Sequence, residues 1–142
     1  MIKKYVFVYV PGTWDLFHVG HLRLLKKASG VAHNLIVGID TDKAVKRDKG
    51  EFPIIPYKER AELLKACQYV KKVTWNNHTV PSVGRLRKLG AEAVILADCW
   101  RNKYLTGKEE ARREGIKIVY FPYTKSTSTT KIKEKIRTGV EK

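Results

Sequence analysis

Five short runs of β-branched, aliphatic and aromatic residues, set between stretches with helical spacing, restrict this chain to one kind of architecture. The first, Tyr5–Val10, reads Tyr-Val-Phe-Val-Tyr-Val without a polar break, the pattern of a strand buried on both faces. Asn34–Asp40, Val70–Trp75, Ala93–Ala97 and Ile116–Phe121 repeat that style. Helical spacing covers His18–Ala28, Tyr57–Cys67, Ser82–Leu89 and Lys108–Glu114, and a Ser/Thr run, Thr124–Thr130, opens a last amphipathic helix through Ile136. Thr41–Pro56 reads as a basic loop containing Gly and Pro. The alternation predicts an α/β fold with a doubly wound, mainly parallel five-stranded sheet and right-handed crossovers. At 142 residues, a single domain over residues 1–142 is expected. Ligands of such sheets bind beyond the carboxyl ends of the strands, near the switch in strand order. The loops after Val10, Ile39, Ala97 and Phe121 are therefore expected to face one site.

Charge narrows the partners without choosing among them. There are 29 Lys and Arg against 14 Asp and Glu, a formal net charge of +15, which suits anionic partners: nucleic acid, anionic lipid or phosphorylated metabolites. The basic residues are spread along the whole chain and interleaved with acids, as on an ordinary solvated surface. No apolar run approaches the roughly 20 residues of a membrane span, so no membrane partner is expected. The opening residues lack the features of a secretory signal. Cys67 and Cys99 fit no metal or redox spacing, and are read as reduced thiols of a cytoplasmic protein.

The first loop carries the most chemistry. Gly12-Thr13-Trp14-Asp15-Leu16-Phe17-His18-Val19-Gly20-His21 leads from strand to helix. His18 and His21 are three apart and share a helix face, and Gly20 between them would let a ligand approach the backbone. The helix N-terminus, with Gly12 and Thr13, suits phosphate oxygens. Two imidazole donors there could stabilise charge that builds on an α-phosphate and its bridging oxygen. Two other readings are a zinc site, for which no third ligand appears at fitting spacing, and structural histidines at a helix start. No protein-built metal site is expected.

That ten-residue stretch resembles the signature of the cytidylyltransferase-like family of nucleotidyltransferases, and looks closest to glycerol-3-phosphate cytidylyltransferases. The adenylyltransferase domain of bacterial heptose-phosphate enzymes is also similar. The resemblance runs from the first strand to the last helix through three separated motifs in order, and implies a Rossmann-like fold. A Lys beside Gly in a loop can fold over a triphosphate, although a solvated loop has the same charge pattern. In the family, the Lys before this Gly reaches the reacting phosphates, and Lys49 matches it. Lys46 is a candidate for the acceptor's phosphate. Arg60 matches the Arg of the family's Glu-Arg pair, implying a place near the nucleotide phosphates; the alternative is a surface ion pair with Glu59 or Glu62.

Asp98 and Trp100 fall where relatives hold the nucleobase, although a Trp there can equally be core. Trp14 is grouped with the nucleotide contacts. Asp15 is placed to touch the acceptor or fix the loop, and Trp75 and His78 to reach the acceptor pocket. Thr127-Ser128-Thr129-Thr130 is first a helix N-cap and also a phosphate site. Ser128-Thr129-Thr130 matches the family's terminal Ser-Thr-Thr. With Thr124, Thr127, Ser128 and Thr129 are taken as nucleotide-binding. Upstream, the cytidylyltransferase pattern has an Arg-Thr pair and a Gly, where this chain has Tyr123-Thr124-Lys125-Ser126.

The expected activity is transfer of CMP from CTP to a phosphorylated small alcohol such as glycerol 3-phosphate, with release of pyrophosphate. The attack is in line, with His18, His21, Lys49 and Arg60 as the catalytic set and Mg²⁺ bridging the phosphates. The alternative is AMP transfer from ATP to a sugar phosphate. A nucleic-acid-binding module would leave the histidine loop unexplained and is not expected. The resemblance suggests a homodimer, with the segment from Lys65 to Val73 at the interface.

Overall fold

The five strands lie parallel in the order β3-β2-β1-β4-β5. They are β1 (Tyr5–Gly12), β2 (Ala32–Asp40), β3 (Lys72–Asn76), β4 (Ala93–Ala97) and β5 (Lys117–Phe121). The helices are α1 (Val19–Ser29), α2 (Asp42–Lys49), α3 (Tyr57–Lys65), α4 (Val83–Leu89), α5 (Lys108–Arg113) and α6 (Thr129–Thr138). A 3-10 turn, Asp98–Trp100, follows β4. The computed structural model describes residues 2–122 and 127–140.

Successive residues of a strand point to opposite faces, and both faces of this sheet are covered. Val8 and Val10 of β1 face one layer, where Leu25 and Ala28 of α1 and Leu64 of α3 meet Leu35, Val37 and Ile39 of β2. Tyr9 faces the other, against Val83 and Leu86 of α4, Ala111 of α5 and Val94 and Leu96 of β4. Burial on both faces is why the strand runs carry no polar alternation. The chain leaves β1 on one side to build β2 and β3, then returns to add β4 on the other. Strand order therefore reverses between β1 and β4, and a crevice opens beyond their carboxyl ends.

The doubly wound parallel sheet is the one the sequence predicts, with β1 extended two residues further, to Gly12. The segment after β2 differs. The expected loop begins as a helix, α2, capped at both ends. Thr41 Oγ1 accepts from Ala44 N at 3.1 Å, and Gly50, in the left-handed region at φ 82°, donates its N–H to Lys46 O. Among the described residues, no helix is long and apolar enough to cross a membrane.

Candidate active site

The turn after β1 is strained and heavily braced. Trp14 and Leu16 hold φ values of 61° and 51°, a region that costs a non-glycine residue about 1–2 kcal/mol. Three groups hold it there. The Trp14 indole is 3% exposed and donates from Nε1 to Gly38 O at 3.0 Å. It fits because Gly12 has no Cβ, which would lie 2.9 Å from Trp14 Cε2. The Asp15 carboxylate accepts backbone N–H groups from Leu16, Ile54 and Ile55 at 3.1, 2.8 and 2.9 Å. Arg60, wholly buried, donates to Ile55 O (2.8 Å), Thr13 O (2.6 Å), Asp40 O (2.8 Å) and Asp42 Oδ1 (2.7 Å).

This bracing delivers His18 to the N-cap of α1. His18 Nδ1 accepts from Gly20 N at 3.0 Å, and His21 Nδ1 accepts from His18 N at 3.2 Å, a reciprocal capping box built from two imidazoles. With both Nδ1 atoms accepting, the neutral rings carry their proton on Nε2. The rings stack at 3.8 Å between centroids, and Trp14 and Phe17 flank His21. Burial pushes the His21 ring down to about 3, helped by the charges of His18 and Lys49. Burial also lowers His18. Both imidazoles are thus neutral N–H donors at neutral pH rather than cations. Gly20 lies on the cavity wall and also leaves room for the ring: a Cβ there would meet His18 Cε1 at 2.9 Å.

A cavity of about 450 Å³ lies at the crevice. The β1 loop lines it with Gly12, Thr13, Trp14, Asp15, His18 and His21, and α2 with Lys49. The β4 end contributes Cys99 and Trp100, and the start of α6 contributes Thr127, Ser128 and Thr129. The four loops thus converge. Ser128 caps α6 by accepting from Lys131 N at 3.1 Å, and Thr129 Oγ1 donates to Asp15 O at 2.8 Å. Lys49 Nζ rests on Thr13 Oγ1 at 3.0 Å.

Several expectations need correction. Arg60 does not face phosphates; it is enclosed, and its guanidinium holds backbone carbonyls of the loops around the cavity. Asp15 fixes the loop rather than offering its carboxylate to an acceptor, since three backbone donors occupy it. Trp14 reaches the cavity edge, but its indole belongs to the core. Lys46 is exposed, off the cavity, and caps its own helix through Gly50 O at 2.7 Å. Asp98 is off the cavity and paired with Arg101 at 2.7 Å. His78 is exposed and off the cavity, and Trp75 is covered by the Arg85 guanidinium at 3.9 Å. Thr124 lies outside the described residues.

Sequence reasoning passed over Asp40, Glu51 and Lys133, all on the cavity wall. Lys133 Nζ meets Glu51 Oε1 at 3.3 Å across it. The signals were present: Asp40 ends a buried strand at the expected site, and Lys133 lies four residues past Thr129, on the same helix face. Burial raises the Asp40 carboxyl, opposed by hydrogen bonds from Asn76 and Thr13 and by the charges of Lys49 and Arg60.

A sequence model of the cytidylyltransferase-like family matches residues 9–135, most of the chain. The chain belongs to that family. Among named members, the FAD synthase of Pyrococcus abyssi is 36% identical over 118 residues, 82% of this chain and 80% of that protein. The glycerol-3-phosphate cytidylyltransferase of Bacillus spizizenii is 30% identical over 125 residues, 87% and 91% of the two chains. The bifunctional protein HldE of Citrifermentans bemidjiense is 33% identical over 94% of this chain, which spans only 27% of that protein. A solved lipopolysaccharide core biosynthesis protein from Thermoplasma volcanium shares the fold, with a TM-score of 0.67, 20% identity and coverage of 84% and 98% of the two chains. The cytidylyltransferase-like match begins in β1, takes in the histidine-bearing turn and runs into α6.

Proposed function

We propose that this chain, a cytoplasmic protein folded as one domain over residues 1–142, is a nucleotidyltransferase. It moves a nucleoside monophosphate from a triphosphate to a phosphorylated small molecule. A phosphate oxygen of the acceptor attacks the α-phosphorus, the bond from that phosphorus to the bridging oxygen breaks, and pyrophosphate departs with the electron pair. The carrying observation is the histidine pair: two stacked imidazoles, each fixed through Nδ1, line the same cavity as Lys49 and the start of α6. Their Nε2–H groups suit oxygens on which charge develops, without the cost of reorienting at the moment of reaction. Lys49, and Lys133 once drawn from Glu51, supply full positive charge to the outer phosphates.

Among the described residues no group of three or more His, Cys, Asp or Glu could hold a metal. Mg²⁺ fits this wall only as an ion carried chiefly by the substrate's own phosphates, whose charge it would neutralise.

We read the nucleotide as ATP, a reading with support comparable to that for the first expectation of CTP. The Pyrococcus relative is named for FAD synthesis, and no Arg stands between Phe121 and Thr130, where the cytidylyltransferase pattern has one. CMP transfer to glycerol 3-phosphate or a similar alcohol remains the second reading, favoured by the 91% coverage of the Bacillus cytidylyltransferase. Pyrophosphate release measured with ATP and with CTP, across flavin mononucleotide, sugar phosphates and glycerol 3-phosphate, separates them. Removing one imidazole, by His18→Ala or His21→Ala, is expected to lower kcat by about 10²–10³. Near-normal turnover in both variants would overturn nucleotidyl transfer by this pair. A homodimer is part of the reading, supported by exposed Leu22 and Leu63 beside an apolar cleft with Phe17 and Tyr69. Light scattering of the purified chain tests it, and a monomer mass would remove it.

A further inference from the structure

A line of polar groups, buried at Tyr9 and Asn76 and opening towards the surface at its ends, runs from Arg85 to Lys49, and its hydrogen-bond directions can be worked out from those ends. At one end Arg85 Nη1 donates to the Tyr9 hydroxyl at 3.2 Å. Arginine has no acceptor, so the Tyr9 proton points onward, to Asn76 Oδ1 at 2.7 Å. That fixes the Asn76 amide, whose Nδ2 donates to Asp40 Oδ1 at 2.8 Å. At the other end Lys49, also donor only, gives a proton to Thr13 Oγ1 at 3.0 Å, and Thr13 passes its own to Asp40 Oδ2 at 3.1 Å. Two trains of donors meet at one residue, which must accept on both oxygens. A carboxylate does this; an amide of the same shape has one oxygen and cannot.

The fold makes room for this line. Tyr9 and Asn76 are 0% exposed. The Tyr9 hydroxyl occupies the space over Gly38, where a Cβ would lie 2.0 Å from it. Burial holds the phenol at about 12, so it is a protonated donor at neutral pH. Buried polar groups are costly unless every partner is present, and here each link is satisfied.

We propose that Asp40 is the positioning residue for Lys49: its carboxylate closes both donor lines and, through the Thr13 hydroxyl, holds the ammonium group at the cavity wall. Thr13, expected to contact the nucleotide, has its only proton committed to Asp40 while Lys49 is docked. The kinetic arm of the test rests on the nucleotidyl-transfer reading; the spectroscopic arm does not.

Lysines of the full chain are labelled by reductive methylation with ¹³C-formaldehyde, and the Lys49 resonance is identified by its loss in Lys49→Arg. In Asp40→Asn that resonance should shift, because an amide with a single oxygen cannot accept from both Thr13 and Asn76. The double variant Asp40→Asn/Asn76→Asp should return it towards wild type. Position 76 then carries the carboxylate and accepts from Tyr9 and from the amide at position 40, whose oxygen is left free to accept from Thr13. Should Asp40→Asn fail to fold, Thr13→Ala cuts the same line elsewhere and should produce the same shift.

In turnover, Asp40→Asn should cost about tenfold or more in kcat/KM, the swap should recover most of it, and the loss should vanish when Lys49→Met is already present. An unshifted Lys49 resonance in both Asp40→Asn and Thr13→Ala would overturn the proposal, as would losses for Asp40→Asn and Lys49→Met that multiply. If the wild-type chain itself turns over no triphosphate, nucleotidyl transfer fails, and the resonance alone decides the role of Asp40.

Discussion

Neutral histidines make a specific statement about acid. The folded His21 ring resists a proton down to about 3, against a reference of 6.5, while the same ring in the unfolded chain accepts one near its ordinary value. Stability tied to this ring is therefore full above pH 6.5 and declines as pH falls towards 3. Melting temperatures at pH 7 and pH 4.5 should show a smaller acid-side drop in His21→Gln than in the native chain; equal drops would remove His21 as the cause. Arg60 makes another. Its guanidinium serves three backbone carbonyls and Asp42, and Lys cannot reproduce that fork. Arg60→Lys should destabilise by about 2–4 kcal/mol in urea titration, summing roughly 1–3 kcal/mol for each buried acceptor left bare. At this scale the sequence made residue types legible but not their directions. Both histidines and Lys49 stand out in the chain and line the cavity. Arg60 and Asp98 stand out equally but lie off the cavity, and Asp15, on its wall, has its carboxylate taken by backbone donors, because only the folded backbone decides which donors reach a side chain first.

Among the elements, α2 escaped the sequence reading for a physical reason. It buries only Ala44 and Val45, so it has no apolar stripe to reveal a period of 3.6. Its end signals were nonetheless present: Thr41 before, Asp42 in the first turn, and Lys46, Arg47 and Lys49 in the last before Gly50. Capping positions Lys49, so Gly50→Ala, forced to hold φ 82° with a side chain, should cost about 1 kcal/mol and also lower activity, as seen by melting and turnover together. The strands were legible because a strand buried on both faces announces itself by composition. Gly38 inside β2 was not, since its purpose is to leave space for Tyr9 on the neighbouring strand. Gly38→Ala should destabilise by about 1–3 kcal/mol through overpacking, checked by denaturant unfolding.

At the scale of the molecule, the net charge of +15 is a long-range field rather than a site. It should strengthen triphosphate capture at low ionic strength, with Kd weakening at least about threefold between roughly 50 and 200 mM salt as the Debye length shortens. A flat titration would mean that the surplus charge lies too far from the cavity to matter. The overall architecture was readable because strand and helix alternate in sequence and parallel crossovers have one hand. The cavity wall was less so, because it joins residues from opposite ends of the chain. Thr129 grips the carbonyl of Asp15 across 114 positions. A nascent chain still on the ribosome, with α6 inside the exit tunnel, could assemble its sheet and both histidines yet lack one side of the cavity. If the cavity is where triphosphates react, such a chain stays inert towards them until α6 has emerged to complete the wall.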